Sequence, residues 1–223
     1  PLLSDAADLA ALLDIELKTL RWLTFHRDVA SSSHYRQFQI PKAHGGKRTI
    51  SAPRPMLRAA QQKIRETILT HLSPTAQANA FVCGRSTLTN ARPHVRSSLL
   101  VKLDLEDFFG TIRFVRVRGF FAALGYSGMC STLLALLTTE APRVLATVDG
   151  KEHFVATGPR ALPQGACTSP ELSNLIASRL DRRLAGFAVK QGWVYTRYAD
   201  DLAFSRKDGD RAHVGCLLGA ARR

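Results

Sequence analysis

The sequence is short of acid: 18 Asp and Glu stand against 31 Lys and Arg, a formal charge of +13. With a pI near 10.3, the deficit disfavours a cationic partner and points to a polyanion. Nucleic acid fits better than a membrane surface, because the cations are spread along the chain and not gathered on one amphipathic helix. Cysteine is scarce as well. Cys83, Cys130, Cys167 and Cys216 lie far apart with no C-x-x-C pair, which argues against a zinc site or a disulfide framework and fits reduced thiols. No apolar run reaches about 18 residues, and no charged, apolar, small-residue leader opens the chain, so a cytoplasmic protein with no membrane partner is expected. Repeats, low-complexity tracts and clear linkers are also missing. What is present is 223 residues with 45% hydrophobic content, enough for a real core in one large domain or two small ones.

Leu9, Leu12, Leu13, Leu17, Leu20 and Leu23 recur near helical period after Ser4 and Asp5, which predicts a helix capped by Ser4. Gly45-Gly46 separates two strand-like pieces, Tyr35 to Ile40 and Lys47 to Ser51, a hairpin tipped with cations. A basic helix is expected from about Pro55 to Leu72. The run from Ser98 is apolar and β-branched enough for a central strand ending near Asp104 and passing into a turn and helix. GMCSTLLALLTT reads as a core helix, and RVLATVDGKEHFVATG as a hairpin turning at Asp149-Gly150. Pro170 suits the first turn of a helix carrying Leu172, Leu175, Ile176 and Leu180. GWVYTRYADDLAFSR is a further hairpin.

That last hairpin sets Asp200 beside Asp201 within an apolar, aromatic run. Taken alone, Asp-Asp is a polar turn. The apolar flanks, the separate Asp104 at a strand end and the basic chain favour another reading. Two carboxylates from a turn and a third from a neighbouring strand make an oxygen-rich site suited to magnesium, a hard cation that also takes phosphate oxygens. Two such ions about 3.5–4 Å apart would activate an attacking hydroxyl and stabilise a leaving pyrophosphate.

These segments resemble a reverse transcriptase, and more narrowly one of bacterial retron type. Tyr198-Ala199-Asp200-Asp201 resembles the family's Y-x-D-D box, VKLDLEDFF its first palm aspartate strand and LPQGACTSP its L-P-Q-G loop with the following helix. IPKAHGGKRTISAP resembles the fingers motif, and TNARPH, in Asn90, Ala91 and His94, the N-A-x-x-H signature of retron enzymes. The resemblance runs from about Leu9 onward. It implies a mixed α/β (α+β) right-hand fingers and palm with an antiparallel palm sheet, the thumb being absent from this chain. Residues 1–30 would be an N-terminal helical region, 31–97 the fingers with the retron-type segment, and 98–223 the palm, interrupted by fingers-like helices and incomplete at its C-terminal end.

The resemblance also implies site residues. Asp104, Asp200 and Asp201 would hold two Mg2+ ions, with the Leu105 carbonyl assisting. Lys47 and Arg48 would clamp the triphosphate of a deoxynucleotide, Gln164 would touch its sugar or base, and Phe109 would bar a 2′-hydroxyl. Arg54, Arg58, Lys63 and Arg65 would meet template phosphates, and Asn90, His94 and Tyr198 are placed with the nucleic acid. The implied activity is RNA-directed DNA polymerisation on a structured non-coding RNA, primed from an RNA 2′-hydroxyl and serving phage defence, with room for an effector protein. The alternatives are another bacterial reverse transcriptase, of group II intron or diversity-generating type, or an inactive RNA-binding scaffold. Cys167 departs from the QGAPTSP string of many relatives, the hairpin at Asp149-Gly150 enlarges the stretch before LPQG, and the chain stops at Arg223, either as a fragment of a longer protein or with the remainder supplied elsewhere.

Overall fold

Asp5, not Ser4, starts the first helix. A computed structural model describes residues 3–41, 45–208 and 211–222, and in it the Asp5 carboxylate accepts from the Ala7 and Asp8 amides, as an N-cap does. The leucine-rich segment is also broken in two, α1 (Ala6–Leu12) and α2 (Leu17–Thr24). Asp14 sits between them at φ 55, a left-handed residue that helical spacing cannot register.

The chain then continues as β1 (Val29–Ala30), β2 (Tyr35–Pro41), β3 (Lys47–Pro53) and α3 (Pro55–Thr67), with Pro55 at the first turn. Lys42, Ala43 and His44 of the hairpin tip lie outside the described residues. After a 3-10 turn at Leu69–His71 come α4 (Thr87–Ala91), a second 3-10 turn at Arg92–His94, and β4 (Leu99–Asp104). Three helices follow, α5 (Phe108–Thr111), α6 (Phe114–Ala123) and α7 (Gly128–Thr138). The hairpin β5 (Arg143–Val148) and β6 (Lys151–Ala156) precedes the long α8 (Ser169–Lys190). The chain finishes with β7 (Val194–Tyr198), β8 (Asp201–Arg206) and α9 (Val214–Arg222). Among the described residues no helix is long and apolar enough to cross a membrane.

Among the described residues three antiparallel sheets result, ordered β1-β6-β5, β2-β3 and β4-β8-β7. Asp149 and Gly150 both take positive φ at the β5–β6 turn, the conformation that a two-residue hairpin with right-handed twist requires.

The helices and sheets gather into two compact units, Pro1–His71 with Phe109–Leu172, and Leu72–Phe108 with Ser173–Arg223. In the first, Leu20, Leu23, Ile64, Phe121, Leu134 and Leu137 are fully buried. Gln61 is buried among them and is satisfied, donating to Tyr35 Oη at 2.9 Å and to the Leu137 carbonyl at 2.8 Å. Burial holds the Tyr35 hydroxyl well above its usual range. At the start of β5, Arg143 pairs with Glu140 at 2.8 Å and donates to the Arg27 and Phe154 carbonyls, tying the hairpin to the β1 segment.

The second unit is the sheet β4-β8-β7 with α8 and α9 on one face. Leu99, Val101 and Leu103 alternate with Leu100, Lys102 and Asp104 along β4, so one side of the strand is apolar. That side meets Leu202, Phe204, Trp193 and Tyr195, which pack on Leu184, Ala188 and Leu217. Tyr195 and Phe204 stack with centroids 4.7 Å apart.

Candidate active site on the antiparallel sheet

Register decides where the acids go. Asp104 and Asp201 are direct partners across β4 and β8, and Tyr198 is the partner of Asp201 across β7 and β8. Directly opposed residues project to the same face, with Cβ atoms typically about 4.5–5.5 Å apart. Asp104, Asp201 and Tyr198 therefore form one row on the face opposite the core. The next row is Lys102, Ala203 and Thr196. Lys102 Nζ reaches Asp201 Oδ1 at 3.6 Å, a loose exposed pair.

Asp200 lies one residue away, in the two-residue turn Ala199-Asp200. Its carbonyl accepts from the Leu105 amide at 3.0 Å, which fastens the turn to the end of β4. Ala199 takes φ 55, a conformation that costs a residue with a Cβ on the order of 1–2 kcal/mol. Such strain persists only where the surroundings hold it.

Arg197 supplies the hold. It is the bulkiest of the fully buried side chains, donating to Asp181 through Nε and Nη2, each at 2.8 Å, and through Nη1 to Asn174 Oδ1 and the Ala199 carbonyl, each at 3.0 Å. Asp181 also accepts from Tyr195 Oη at 2.9 Å and Thr75 Oγ1 at 2.7 Å. Burial and that carboxylate push the Tyr195 hydroxyl far above its usual range. Backbone pairing finishes the clamp: Arg197 N–H donates to the Gln77 carbonyl and Asn79 N–H to the Arg197 carbonyl, both at 2.8 Å. This network escaped the sequence reading. The signal was there, since period two puts Arg197 in line with Trp193 and Tyr195 on the core face, and a cation there needs a buried acid.

The other end of the acid-bearing face is covered by the Asn90–His94 segment. His94 Nδ1 lies 2.7 Å from Ser205 Oγ and Nε2 lies 2.7 Å from Thr196 Oγ1. Thr196 donates onward to the Asn90 carbonyl at 3.4 Å. That chain assigns Nε2 as the donating nitrogen and Nδ1 as the acceptor from Ser205. Both ring nitrogens are thus used within the protein, and burial lowers the His94 pKa, keeping the ring neutral. Asn90 Oδ1 is buried with no hydrogen-bond partner.

Lys47, Arg48, Phe109 and Gln164 belong to the first unit. Lys47 and Arg48 are exposed at the start of β3, on opposite faces as successive strand residues are. The Gln164 carbonyl accepts from the Ser51 amide at 2.8 Å, so the loop lies against β3. Gly165 is required there. At φ 114, a Cβ would stand 2.6 Å from Ile50 Cγ2 and 3.1 Å from the Ser51 carbonyl. Phe109 is half-buried in α5. Along α3, Arg54 donates to the Ser33 carbonyl at 2.8 Å, and Arg65 is engaged by Glu171, which holds its pKa up. Arg58 remains exposed and Lys63 half-exposed. Cys167, half-buried near Gln61 Oε1, has its thiol pKa raised by burial.

Among the described residues no three His, Cys, Asp or Glu side chains are already drawn into a closed metal cluster. The donor set nonetheless fits a hard divalent cation: two carboxylates are direct cross-strand partners on an open sheet surface, a third acid is adjacent in sequence, and among the described residues the ion pair made by these acids is the loose one with Lys102.

Residues 40–218 match the family described as Reverse transcriptase (RNA-dependent DNA polymerase), and the chain belongs to that family. Its similarity is with the bacterial retron type. It is 47% identical over 203 residues to the Retron Mx162 reverse transcriptase of Myxococcus xanthus, covering 91% of this chain and 42% of that protein. It is 45% identical to the Retron Mx65 reverse transcriptase of the same organism, covering 90% and 47%. To the Retron Ec86 reverse transcriptase of Escherichia coli it is 34% identical, covering 92% and 58%. The chain thus spans about half the length of the curated relatives it matches. A solved telomerase from Candida albicans, in complex with a TWJ fragment of telomeric RNA, shares the fold with a TM-score of 0.51 at 12% identity, covering 83% of this chain and 40% of that one.

Proposed function

We propose that the protein is a retron-type RNA-directed DNA polymerase that extends a primer on a structured non-coding RNA. The observation that carries this reading is the register of Asp104 against Asp201 on an open sheet face, with Asp200 in the adjoining strained turn. Asp104, Asp200 and Asp201 would hold two divalent ions, Mg2+ by the chemistry of the donors, assisted by the Leu105 carbonyl. When bound, such ions activate the attacking hydroxyl and neutralise the leaving pyrophosphate.

The chain's own residues perform the remaining tasks. Arg197 and Asp181 keep the Ala199-Asp200 turn in its strained form, so the carboxylates are ordered before substrate arrives, a saving that counts directly toward rate. Lys47 and Arg48 bind the triphosphate and Gln164 the sugar or base. Phe109 excludes the 2′-hydroxyl, selecting deoxynucleoside triphosphates. Arg58 and Lys63 contact template phosphates more readily than Arg54 and Arg65, whose guanidinium groups are already engaged. Asn90 and His94 lie with Tyr198 on the nucleic-acid side, His94 acting by pinning its segment to the sheet. In domain terms, residues 31–97 would serve as fingers and 98–223 as palm, after a helical region at 1–30. The template is the protein's own non-coding RNA, primed from a 2′-hydroxyl, and the linked RNA-DNA product acts in phage defence in the cytoplasm, alongside an effector protein.

The test is primer extension on an RNA template with deoxynucleotides and Mg2+. The whole protein is expected to extend, and the Asp200→Ala/Asp201→Ala variant to lose extension while keeping RNA affinity. Undiminished synthesis by that variant would overturn the assignment of the acids. Absence of DNA covalently linked to the co-purifying RNA would overturn the retron type.

A further inference from the structure

Arg179, Arg182, Arg183 and Lys190 are all exposed on α8. At about 100° per residue these four and Gly186 fall within an arc of about 100°, and Arg179 and Lys190 stand about 16 Å apart along the axis. The arc is turned away from Leu184 and Ala188, which pack on the sheet. An ordinary solvated helix face mixes signs, but α8 carries only Glu171 and Asp181 as acids, engaged by Arg65 and Arg197. Among the described residues none of the four cations has an ion-pair partner. Arg179 is three residues from Arg182 and four from Arg183, spacings at which like charges repel and weaken a helix. Gly186, in the middle of the arc, weakens it again, and nothing in the packing asks for glycine, since a Cβ there would meet nothing within 4 Å. Both features cost the free protein something, and both suit a surface that a polyanion approaches closely.

We propose that this strip of α8 binds the phosphate backbone of duplex RNA, at a place separate from the acids. Asp104 and Asp201 project from the opposite face of the sheet that α8 covers, so a strand held on α8 is not the end being extended. It is a structured part of the RNA folded around the back of this unit. The inference rests on the RNA-copying reading above. Arginine dominates the strip, and its planar fork suits phosphate oxygens better than a point charge does. A membrane surface is disfavoured because the face lacks the row of large apolar residues that such helices insert, Val189 being the lone exposed one beside it.

The experiment titrates a fluorescently labelled RNA hairpin with the whole protein by anisotropy across a series of KCl concentrations. The Arg179→Gln/Arg182→Gln/Arg183→Gln variant is expected to lower the slope of log affinity against log salt by about 2–3, and to weaken binding at moderate salt by tens- to about a hundredfold. Arg182→Gln alone, which guards against misfolding of the triple variant, is expected to lower the slope by about one. The control variant Arg21→Gln/Arg116→Gln/Lys151→Gln, exposed positions in the first unit, is expected to change the slope less. Equal slopes for wild type and triple variant would overturn the proposal. So would an equal loss in the control, or an RNA affinity left intact while capture of an acidic protein is lost. Primer extension by the wild-type protein, run alongside, tests the polymerase reading by itself, so the two failures are distinguishable.

Discussion

Replacing Arg197 with Met keeps much of the side-chain volume and removes a guanidinium that has no exposed surface. The change takes two of the four hydrogen bonds from Asp181 and leaves that carboxylate buried with Tyr195 and Thr75 as donors. Stranding one partner of a buried ion pair costs about 3–5 kcal/mol. Asn174 Oδ1 and the Ala199 carbonyl lose a donor as well, so the upper end of that range is expected. Against a typical domain stability of about 5–15 kcal/mol, this is a large fraction. With a urea slope of about 2 kcal/mol per molar, the midpoint should fall by roughly 2 M. Primer extension should fall further than the folded fraction does, because the Ala199 turn is released from φ 55. The double variant Arg197→Met/Asp181→Leu should regain much of the stability, since no charge is then stranded, without regaining extension. An Arg197→Met protein that melts within about 1 kcal/mol of wild type and extends primers normally would refute the clamp, because that is the net worth of an ordinary hydrogen bond.

Two further outcomes follow from the first unit. Gly165→Ala must move either the loop or Ile50, and the residue must also hold φ 114, so destabilisation of about 2–4 kcal/mol is expected. The Michaelis constant for deoxynucleotide should rise through displaced Gln164, and a thermal melt equal to wild type would contradict this. The second outcome concerns pH. Burial, with Arg160, His34 and Arg143 nearby, lowers the His26 pKa to about 3, and its Nε2 has no hydrogen-bond partner. The folded form binds the proton more weakly than the unfolded chain, so this contribution is whole above about pH 6.5 and is lost as pH falls toward 3. By pH 5 the loss is about 1–2 kcal/mol, reduced because the ring is partly exposed. His26→Phe should flatten the acid limb measured by urea melts at stepped pH, and an unchanged limb would remove His26 as its cause.

Much of the site was legible because strand alternation and turn chemistry are local properties. Leu99 to Asp104 announces one apolar and one polar side, and two residues between Tyr198 and Asp201 leave little choice of hairpin. Those two facts put Asp104 and Asp201 on one face, whereas the register that makes them direct partners belongs to the long-range pairing of β4 with β8. Less legible was anything settled by long-range partners. The break at Asp14 rests on one left-handed residue, and the N-cap passed from Ser4 to Asp5 because the longer carboxylate reaches two amides. Arg65 reads as a template contact on a basic helix, but Glu171, far along the chain, engages it. His94 reads only as part of a signature, and its partners Thr196 and Ser205 come from two other strands. Helix α9 and the short α4 left no strong periodic trace.

The acid-bearing turn and its buried support show how one strand can serve two opposing needs. A row of carboxylates that is to hold cations, as proposed above, must stay open to solvent, so it cannot be stabilised by burial, and Lys102 at 3.6 Å offers little in water. The turn that carries Asp200 is itself strained at Ala199. Alternation along β7 resolves this, because Tyr198 faces outward with the acids while Arg197, its immediate neighbour, faces inward to Asp181. A hydrophobic residue at 197 would pack at no cost in desolvation, but it could not donate to the Ala199 carbonyl. The buried ion pair is therefore best understood as fixing one geometry of the turn at some expense of stability. Asp181→Asn, which keeps the shape but leaves the Arg197 guanidinium buried without its counter-charge and turns an amide N–H2 toward donors, should then lower stability by about 3–5 kcal/mol in urea melts, as Arg197→Met does, and lower extension with it.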